Sequence, residues 1–283
     1  MAENYYYAPI HTEILCEHKK AKGYQTYPYH RHNGYEIFLF LSGNVLLYID
    51  NECYRMIPGD IIIIPPVSRH RIVSLDDQIY ERIIINIKQS AAEKLSTSHT
   101  DLFACFYSCL KKKSSLSHLE VNDRSLFIDY ADQLSYALSS EEYGADVTAN
   151  ILSSQILLFI NRHYHTSTVT SWNIMPPLVK NIMKYIQNNL AERLTLERLA
   201  KEFFLNGTYL SRLFKKHVGL SLREYILDQR IDFAKQLLSA GCSVSEACYT
   251  SGFYDYSNFI RSFTKIVGIS PGKYKKKIKE NPH

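Results

Sequence analysis

The sequence predicts two domains of different classes: an N-terminal β-barrel or sandwich with helices attached to it, and a C-terminal domain that is all α-helical. Short apolar and aromatic runs separated by Gly and Pro turns fill residues 24–88. Later apolar residues recur at helical spacing. The charge also shifts, because residues 178–283 hold 18 Lys and Arg against 9 Asp and Glu, and the rest of the chain holds 15 against 19. We therefore predict domains over residues 1–164 and 178–283, joined by a linker over 165–177.

The N-terminal domain begins with strand patterns. YEIFLFLSG and NVLLYID are separated by the turn signal Ser42-Gly43-Asn44, and CYRMIPGDIIIIPP places Pro-Gly-Asp between two further runs. YERIIINI adds another strand. Many short strands with Gly and Pro turns are typical of a sandwich or barrel.

Three helices are predicted after these strands, in DLFACFYSCLKKK, RSLFIDYADQLSYAL and ANILSSQILLFINRHY. The third is apolar around much of its circumference. A helix of this kind packs against a partner as well as its own core. We therefore expect residues 149–164 to form a homodimer interface.

The C-terminal domain repeats itself. NGTYLSRLFKKHVGLSLREY aligns without gaps on DYSNFIRSFTKIVGISPGKY at an offset of 49 residues, and a short amphipathic helix precedes each copy. Capping boxes are predicted at Ser221 and Ser243, and N-caps at Asn206 and Asp255. Helix, tight turn and second helix, twice over in a basic domain, predict a double helix-turn-helix that binds double-stranded DNA.

One face of each second helix is polar and basic, and the opposite face is apolar. Arg can donate two hydrogen bonds to guanine, while Ser, Thr, Tyr and Ile suit other base-edge contacts. Lys side chains contact phosphates without reading sequence. The candidate DNA-binding residues are Thr208, Ser211, Arg212, Lys215, Lys216, Tyr256, Ser257, Ile260, Arg261 and Lys265.

The stretches TLERLAKEFFLNGTYLSRLFKKHVGLSLREYILDQRIDFAKQLL and GFYDYSNFIRSFTKIVGISPGKY resemble the DNA-binding domain of the AraC/XylS family of bacterial transcription regulators. The resemblance implies two recognition helices joined by a long central helix over residues 221–240. It also implies base contacts from the two polar faces, with RNA polymerase as a further partner.

The N-terminal half carries a second resemblance. His30-x-His32-x3-Glu36-x6-Gly43 is similar to the first cupin motif, and PGD followed by His70 is similar to the second. This implies a cupin-like barrel, a jelly roll, that acts as a sensor. On an unbroken strand positions 30, 32 and 36 point to one face, and His70 can join them. Three imidazoles and a carboxylate suit a divalent metal such as Zn, Ni, Fe or Mn.

The same histidines can also line a metal-free pocket for a small effector. The candidate effector-binding residues are Tyr24, Tyr29, His30, His32, Glu36 and His70. The tyrosines suit stacking on a carbohydrate, which is also the class of effector that the family resemblance suggests.

We expect a regulator rather than an enzyme. Two alternatives stay open: a metal-dependent cupin enzyme of isomerase or dioxygenase type with secondary DNA binding, and a DNA-binding protein whose barrel only dimerises. With no export signal and no apolar run near the ~20 residues of a membrane span, a cytoplasmic location without membrane contact is expected.

Overall fold

The computed structural model describes residues 5–7, 10–22, 29–50, 52–66, 68–112, 116–166 and 174–280. They fall into two compact units: one holds the described residues from Ile10 to Ile174, and the other holds those from Met175 onward together with Tyr5–Tyr7. The first unit is rich in antiparallel strands and the second is helical. The predicted fold class, a sheet-rich N-terminal domain followed by a helix-turn-helix domain, is confirmed.

The strands are short and lie mainly where the apolar runs predicted them. They are β1 Tyr5–Tyr7, β2 Ile14–Ala21, β3 Tyr29–Arg31, β4 Gly34–Ser42, β5 Val45–Ile49, β6 Glu52–Arg55, β7 Asp60–Ile64, β8 His70–Ser74, β9 Tyr80–Lys88 and β10 Leu116–His118.

Two antiparallel sheets form the barrel. One contains β3, β8, β5 and β6 in that order, and the other contains β10, β7, β4, β9 and β2. Their facing sides share an apolar core that includes Phe38, Phe40, Leu47, Ile62 and Ile64. β4 is buried along most of its length, because its alternate side chains face this core and a second one under the helices. That double burial is why YEIFLFLSG shows no polar alternation.

Four of the helices that the structure describes belong to the first unit: α1 Gln89–Leu95, α2 Ala104–Lys112, α3 Val121–Ser139 and α4 Ala145–Thr166. They cover the outer side of the second sheet. Phe103, Phe127, Leu134 and Ile156 pack there against β-strand residues such as Ile85.

Among the described residues, the second unit contains seven helices: α5 Pro177–Asn188, α6 Leu196–Glu202, α7 Gly207–Val218, α8 Leu222–Ser239, α9 Val244–Thr250, α10 Tyr256–Val267 and α11 Pro271–Glu280. α8 is the predicted central helix, and it starts and stops within one residue of its expected caps, Ser221 and Ala240. Phe259 and Phe263 of α10 pack on Ile231 of α8 in a shared core.

The cysteines whose side chains are described form no disulfide. Burial raises the pKa of Cys16 to about 12, with the nearby Asp132 and Glu17 adding to the shift. Burial also raises the pKa of Cys53 to about 11. Both thiols are therefore held protonated and unreactive.

Candidate functional site

A cluster of buried polar side chains lies at the interior face of the barrel. His32, Glu36 and His70 each offer one ligand atom, and these atoms lie within 4.8 Å of one another. His30 pairs in register with His70 across β3 and β8, and their ring centroids are 4.2 Å apart. The structure therefore brings together four of the residues predicted from the cupin-like motifs.

The predicted reason for this convergence is only partly right. The expected convergence rests on one unbroken strand, but β3 ends at Arg31 and β4 begins at Gly34. His32 lies in the break between them. It still reaches Glu36, because its Nδ1 donates a hydrogen bond to the carbonyl of Gly34, 2.9 Å away, and this turns Nε2 inward.

Hydrogen bonds to backbone carbonyls fix the orientation of two imidazoles. A carbonyl oxygen can only accept, so Nδ1 of His32 carries a proton, and so does Nδ1 of His70, which lies 3.2 Å from the carbonyl of Ser68. In a neutral ring the Nε2 atom then carries a lone pair. Nε2 of His32 is 2.8 Å from Oε2 of Glu36, and Nε2 of His70 is 3.7 Å from it.

The shorter of these distances requires a bridging proton or cation. A neutral imidazole Nε2 and a carboxylate oxygen are both acceptors, so a separation of 2.8 Å requires a proton or a cation between them. Burial raises the pKa of Glu36, but the charge of His70 and the hydrogen bond from His32 outweigh it and hold that pKa well below its usual range. Burial lowers the pKa of His70, and the charge of Glu36 overrides this and raises it.

The donor set fits a divalent metal. Metal-bound histidines commonly donate the second ring nitrogen to a carbonyl or carboxylate, which fixes the tautomer and aims the other nitrogen at the ion. His32 and His70 both have this arrangement, and Nε2 of His70 is buried with no hydrogen-bond partner among the described residues. Glu36 would complete a set of two nitrogens and one carboxylate.

Tyr29, the predicted effector-binding tyrosine that the structure describes, does not lie at this cluster. Tyr24 lies outside the described residues. Tyr29 is adjacent to His30 on β3, so its side chain points to the opposite face of the sheet. There its ring meets the edge of Tyr48 and the guanidinium groups of Arg69 and Arg71, at 4.8 Å and 4.6 Å from its centroid.

A second, cationic group lies on this other face of the sheet, and no motif in the sequence indicated it. Arg69 is only 1% exposed, and its guanidinium donates to the carbonyl of Asp50. Arg71 lies over both Tyr29 and Tyr48. Strand parity was the available signal, because residues 29, 69 and 71 share one face once His30 and His70 are paired.

The C-terminal unit presents two matched helices, α7 and α10. Asn206 accepts hydrogen bonds from the backbone amides of Thr208 and Tyr209 in α7, and Asp255 accepts one from the amide of Asn258 in α10. Both helices end at a left-handed glycine, Gly219 and Gly268. These caps are as predicted, and so are the capping boxes at Ser221 and Ser243.

The predicted DNA-binding residues lie on the exposed sides of these helices. The buried sides are formed by Leu210 and Phe214 in α7, and by Phe259 and Phe263 in α10. Ser211 and Ile260 are half-buried at the edges. The exposed members are Thr208, Arg212, Lys215, Lys216, Tyr256, Ser257, Arg261 and Lys265.

Both halves of the chain match known family models. A model described as an AraC-like ligand binding domain matches residues 12–144, and one described as a helix-turn-helix domain matches residues 199–277. Among the described helices, none combines the length and apolar character needed to span a bilayer.

Several similar proteins span nearly the whole chain. The HTH-type transcriptional regulator YobQ of Bacillus subtilis is 28% identical, covering 93% of this chain and 94% of its own. The Msm operon regulatory protein of Streptococcus mutans is 27% identical, covering 92% and 90%. The transcriptional activator RhaR of Salmonella dublin is 22% identical, covering 87% and 86%. Among solved structures, fatty-acid-bound ToxT of Vibrio cholerae is 19% identical, covering 97% of each chain, with a TM-score of 0.38.

Proposed function

The chain belongs to the AraC family of transcription regulators, and from this premise we propose that it acts as a homodimer. An effector bound to the barrel would change how the two recognition helices bind DNA. In this family the N-terminal domain binds a ligand and the C-terminal domain binds DNA. The effector would act through population shift, by binding one of two states more tightly.

The observation that carries the DNA-binding part is the pairing of two equivalent helices, α7 and α10. Each has a capped N-terminus, a buried side that contains Phe, and an exposed side that carries Arg and Lys. Arg212 and Arg261 stand at matching positions in the two copies. We assign base reading to these two arginines and phosphate contact to Lys216 and Lys265.

A binding selection tests this assignment. Full-length protein would be used to enrich sites from a random-sequence duplex library, and affinities would then be measured on the enriched site and on scrambled DNA. Arg212→Ala should cost about 1–3 kcal/mol on the enriched site and relax one base preference, whereas Lys216→Ala should weaken both DNAs alike and reduce the salt slope by about one. Equal losses from Arg212→Ala on both DNAs would reject base reading by Arg212.

The proposed dimer surface is the outer side of α4. Val147, Ile151 and Leu158 are exposed there although they are apolar, with Ile151 60% exposed. They line a groove of about 710 Å³ beside α1 and β2. Covering this side with the same helix of a second copy would remove the apolar area from water, which stabilises the pair by about 25 cal/mol per Å².

Sedimentation of charge variants tests the dimer. Ile151→Lys should shift full-length protein from dimer to monomer at micromolar concentration. Tyr136→Lys is the matched control, because Tyr136 is also exposed but lies on α3 outside the groove. A wild-type protein that sediments as a monomer, or an unaltered dimer in Ile151→Lys, would contradict the proposed surface.

For the effector site we propose the cluster of His30, His32, Glu36 and His70. Its support is the burial of the three convergent ligand groups and the inward orientation of the two Nε2 atoms. A divalent ion held there would supply Lewis acidity or a charged anchor for an effector. Carbohydrates remain the effector class predicted from the family resemblance, and they come first in a ligand screen.

Metal analysis with a thermal-shift screen separates the two readings of this cluster. Metal near one ion per chain, lost with chelator and absent from His70→Ala, would support a metal site. A ligand response without metal would support a metal-free pocket lined by the same residues. No response to any ligand or metal would instead favour a barrel that only dimerises.

A metal-dependent cupin enzyme is the second candidate function, and the buried set of two imidazoles and a carboxylate is the observation that favours it. We infer that the chain is a regulator and not an enzyme, a reading supported by full-length relatives that are named as transcriptional regulators. Relatives named as activators also support RNA polymerase as a partner. Turnover of a candidate sugar by metal-loaded protein would overturn the inference.

A further inference from the structure

The connection between α5 and α6 is held by hydrogen bonds from a distant part of the second unit. Three successive carbonyls in this loop, those of Leu190, Ala191 and Glu192, accept hydrogen bonds from side chains that lie 38–63 residues further along the chain. A loop of seven residues, 189–195, rarely has consecutive backbone groups satisfied in this way, since most loop carbonyls face water.

Arg230 of α8 provides two of these bonds. Its Nε donates to the carbonyl of Leu190 at 3.0 Å, and one terminal nitrogen donates to the carbonyl of Glu192 at 2.7 Å. A guanidinium is a planar fork with fixed donor directions, so it fixes the orientation of the peptide groups as well as their distance. Arg230 thereby ties the loop to the middle of the central helix.

The turn between α9 and α10 provides the third contact. The hydroxyl of Tyr254 donates to the carbonyl of Ala191 at 3.2 Å. Gly252 in the same turn lies so close that a Cβ atom there would be 2.0 Å from the carbonyl oxygen of Leu190. Tyr254 directly precedes Asp255, the N-cap of α10. The loop is therefore in contact with the residues that start the second recognition helix.

The same loop also starts the first helix-turn-helix. It leads into Thr195, which caps α6, and α6 packs against α7. The positions of both recognition helices therefore depend on the same three peptide groups. We define Arg230, Gly252 and Tyr254, together with the loop carbonyls of residues 190–192, as the inter-motif clasp.

We propose that the inter-motif clasp sets the spacing between the two DNA elements read by α7 and α10, and that Arg230 and Tyr254 are positioning residues for specificity. The proposal rests on the function proposed above, in which both helices read DNA. When two recognition helices are held rigidly, they bind tightly only to DNA elements at one spacing, because successive major-groove segments are one helical turn apart. Loosening the clasp should broaden the spacings that the protein accepts.

The test compares spacing profiles of full-length variants. A site enriched by wild-type protein from a random-sequence duplex library would be rebuilt with one or two base pairs inserted or removed between its two elements. For wild type, one inserted base pair should weaken binding by about tenfold or more, as a mismatched base pair does. Tyr254→Phe and Arg230→Lys should each shrink that penalty by about threefold or more.

Tyr249→Phe is the matched control. Tyr249 is also an exposed tyrosine of the second helix-turn-helix, at 56%, and no hydrogen bond from its hydroxyl to another described residue is present. It should keep the wild-type profile. Tyr254→Phe removes a single oxygen, so it keeps the test decisive even where Arg230→Lys lowers stability.

Each outcome decides the matter. A flatter spacing profile in Tyr254→Phe and Arg230→Lys, with the Tyr249→Phe profile unchanged, supports the clasp as a spacing device. A uniform loss of affinity with an unchanged profile overturns it and leaves a purely structural role. A wild type that enriches only one element, or none, refutes two-helix reading itself, so failure of the proposed function is distinguishable from failure of the clasp.

Discussion

The turn of the first helix-turn-helix contains a residue whose replacement should stabilise the protein. Phe204 has a φ of +54° and is 95% exposed. A bulky side chain rarely adopts this left-handed conformation. In the second motif the corresponding turn uses Gly252, with a φ of +88°. The exposed ring of Phe204 contributes little burial, so the main effect of Phe204→Gly is on the backbone.

The size of the effect follows from two opposing contributions. Relieving the left-handed conformation of a non-glycine residue gains about 1–2 kcal/mol. The greater freedom of Gly in the unfolded chain costs about 0.4–1 kcal/mol. The difference predicts that Phe204→Gly raises the free energy of unfolding by roughly 0.5–1 kcal/mol. For a domain of this size that raises the melting temperature by roughly 3–6 °C.

Differential scanning calorimetry of the full chain measures this shift. The transition of the C-terminal unit can be identified because bound DNA moves it. Phe204→Ala is the matched control, since it removes the ring but keeps a Cβ atom in the left-handed conformation, and it should change stability little. If Phe204→Ala stabilises as much as Phe204→Gly, or if Phe204→Gly destabilises, the strain argument is refuted.

Gly252→Ala should do the opposite and cost more than about 3 kcal/mol, because its Cβ would overlap the carbonyl of Leu190; calorimetry of the same transition checks this. Ser243→Ala removes one half of a capping box and should cost about 1 kcal/mol in urea unfolding, while Ser243→Thr should cost less. In protein treated with chelator, the pKa of Glu36 is lower in the folded state than in the unfolded state. Its contribution to folding stability is therefore present above about pH 4.3 and is lost as the pH falls through the folded pKa. The pKa of His70 is higher in the folded state, so its contribution to folding stability is present below about pH 6.5 and is lost as the pH rises through the folded pKa. Glu36→Gln should therefore flatten both limbs of the plot of melting temperature against pH.

The helix boundaries of the C-terminal unit were predictable because the interactions that set them are local. The side chain of Ser221 accepts from an amide three residues away, and Gly219 ends α7 with its own φ of +77°. Each such signal lies within a few residues of the sequence. The gapless repeat likewise predicted two equivalent recognition helices, since each copy carries the same caps.

The repeat did not predict that the two turns differ. The left-handed residue comes two positions before the N-cap in the first motif, at Phe204 before Asn206. It comes three positions before in the second, at Gly252 before Asp255. The extra residue gives Tyr254 its place against the loop of α5, and that contact joins residues 63 positions apart. A pattern within one motif carries no information about such a partner.

The barrel shows the same division between local and distant information. The spacing of the first motif predicted that His32 and Glu36, which are four residues apart, lie together, and the second motif predicted that His70 joins them. It placed Tyr29 among them because aromatic side chains near histidines suggest a pocket. Strand parity sends Tyr29 to the other face instead, toward Arg71. Only the pairing of β3 with β8 reveals which residues that face contains.

Chain connectivity makes α5 the entry point for any effector signal carried along the backbone. The predicted linker ends where α5 begins at Pro177, and α5 leads directly into the clasped loop of residues 190–192. A shift of α5 therefore acts on the hydrogen bonds of Arg230 and Tyr254 as well as on α7, which α5 contacts directly. The signal would change the relation between α7 and α10, while each helix keeps its own caps and core.

This connectivity leads to an expectation about effector response. Saturating effector should change the affinity for the two-element site by about 1–3 kcal/mol, the usual range of coupling between sites. It should leave the weak affinity for either element alone nearly unaltered. Fluorescence anisotropy on three labelled duplexes, the full site and each element with the other scrambled, measures both quantities with the same protein. An effector response of equal size on a single element would mean that the signal alters a recognition helix itself, and it would remove the loop of α5 from the path.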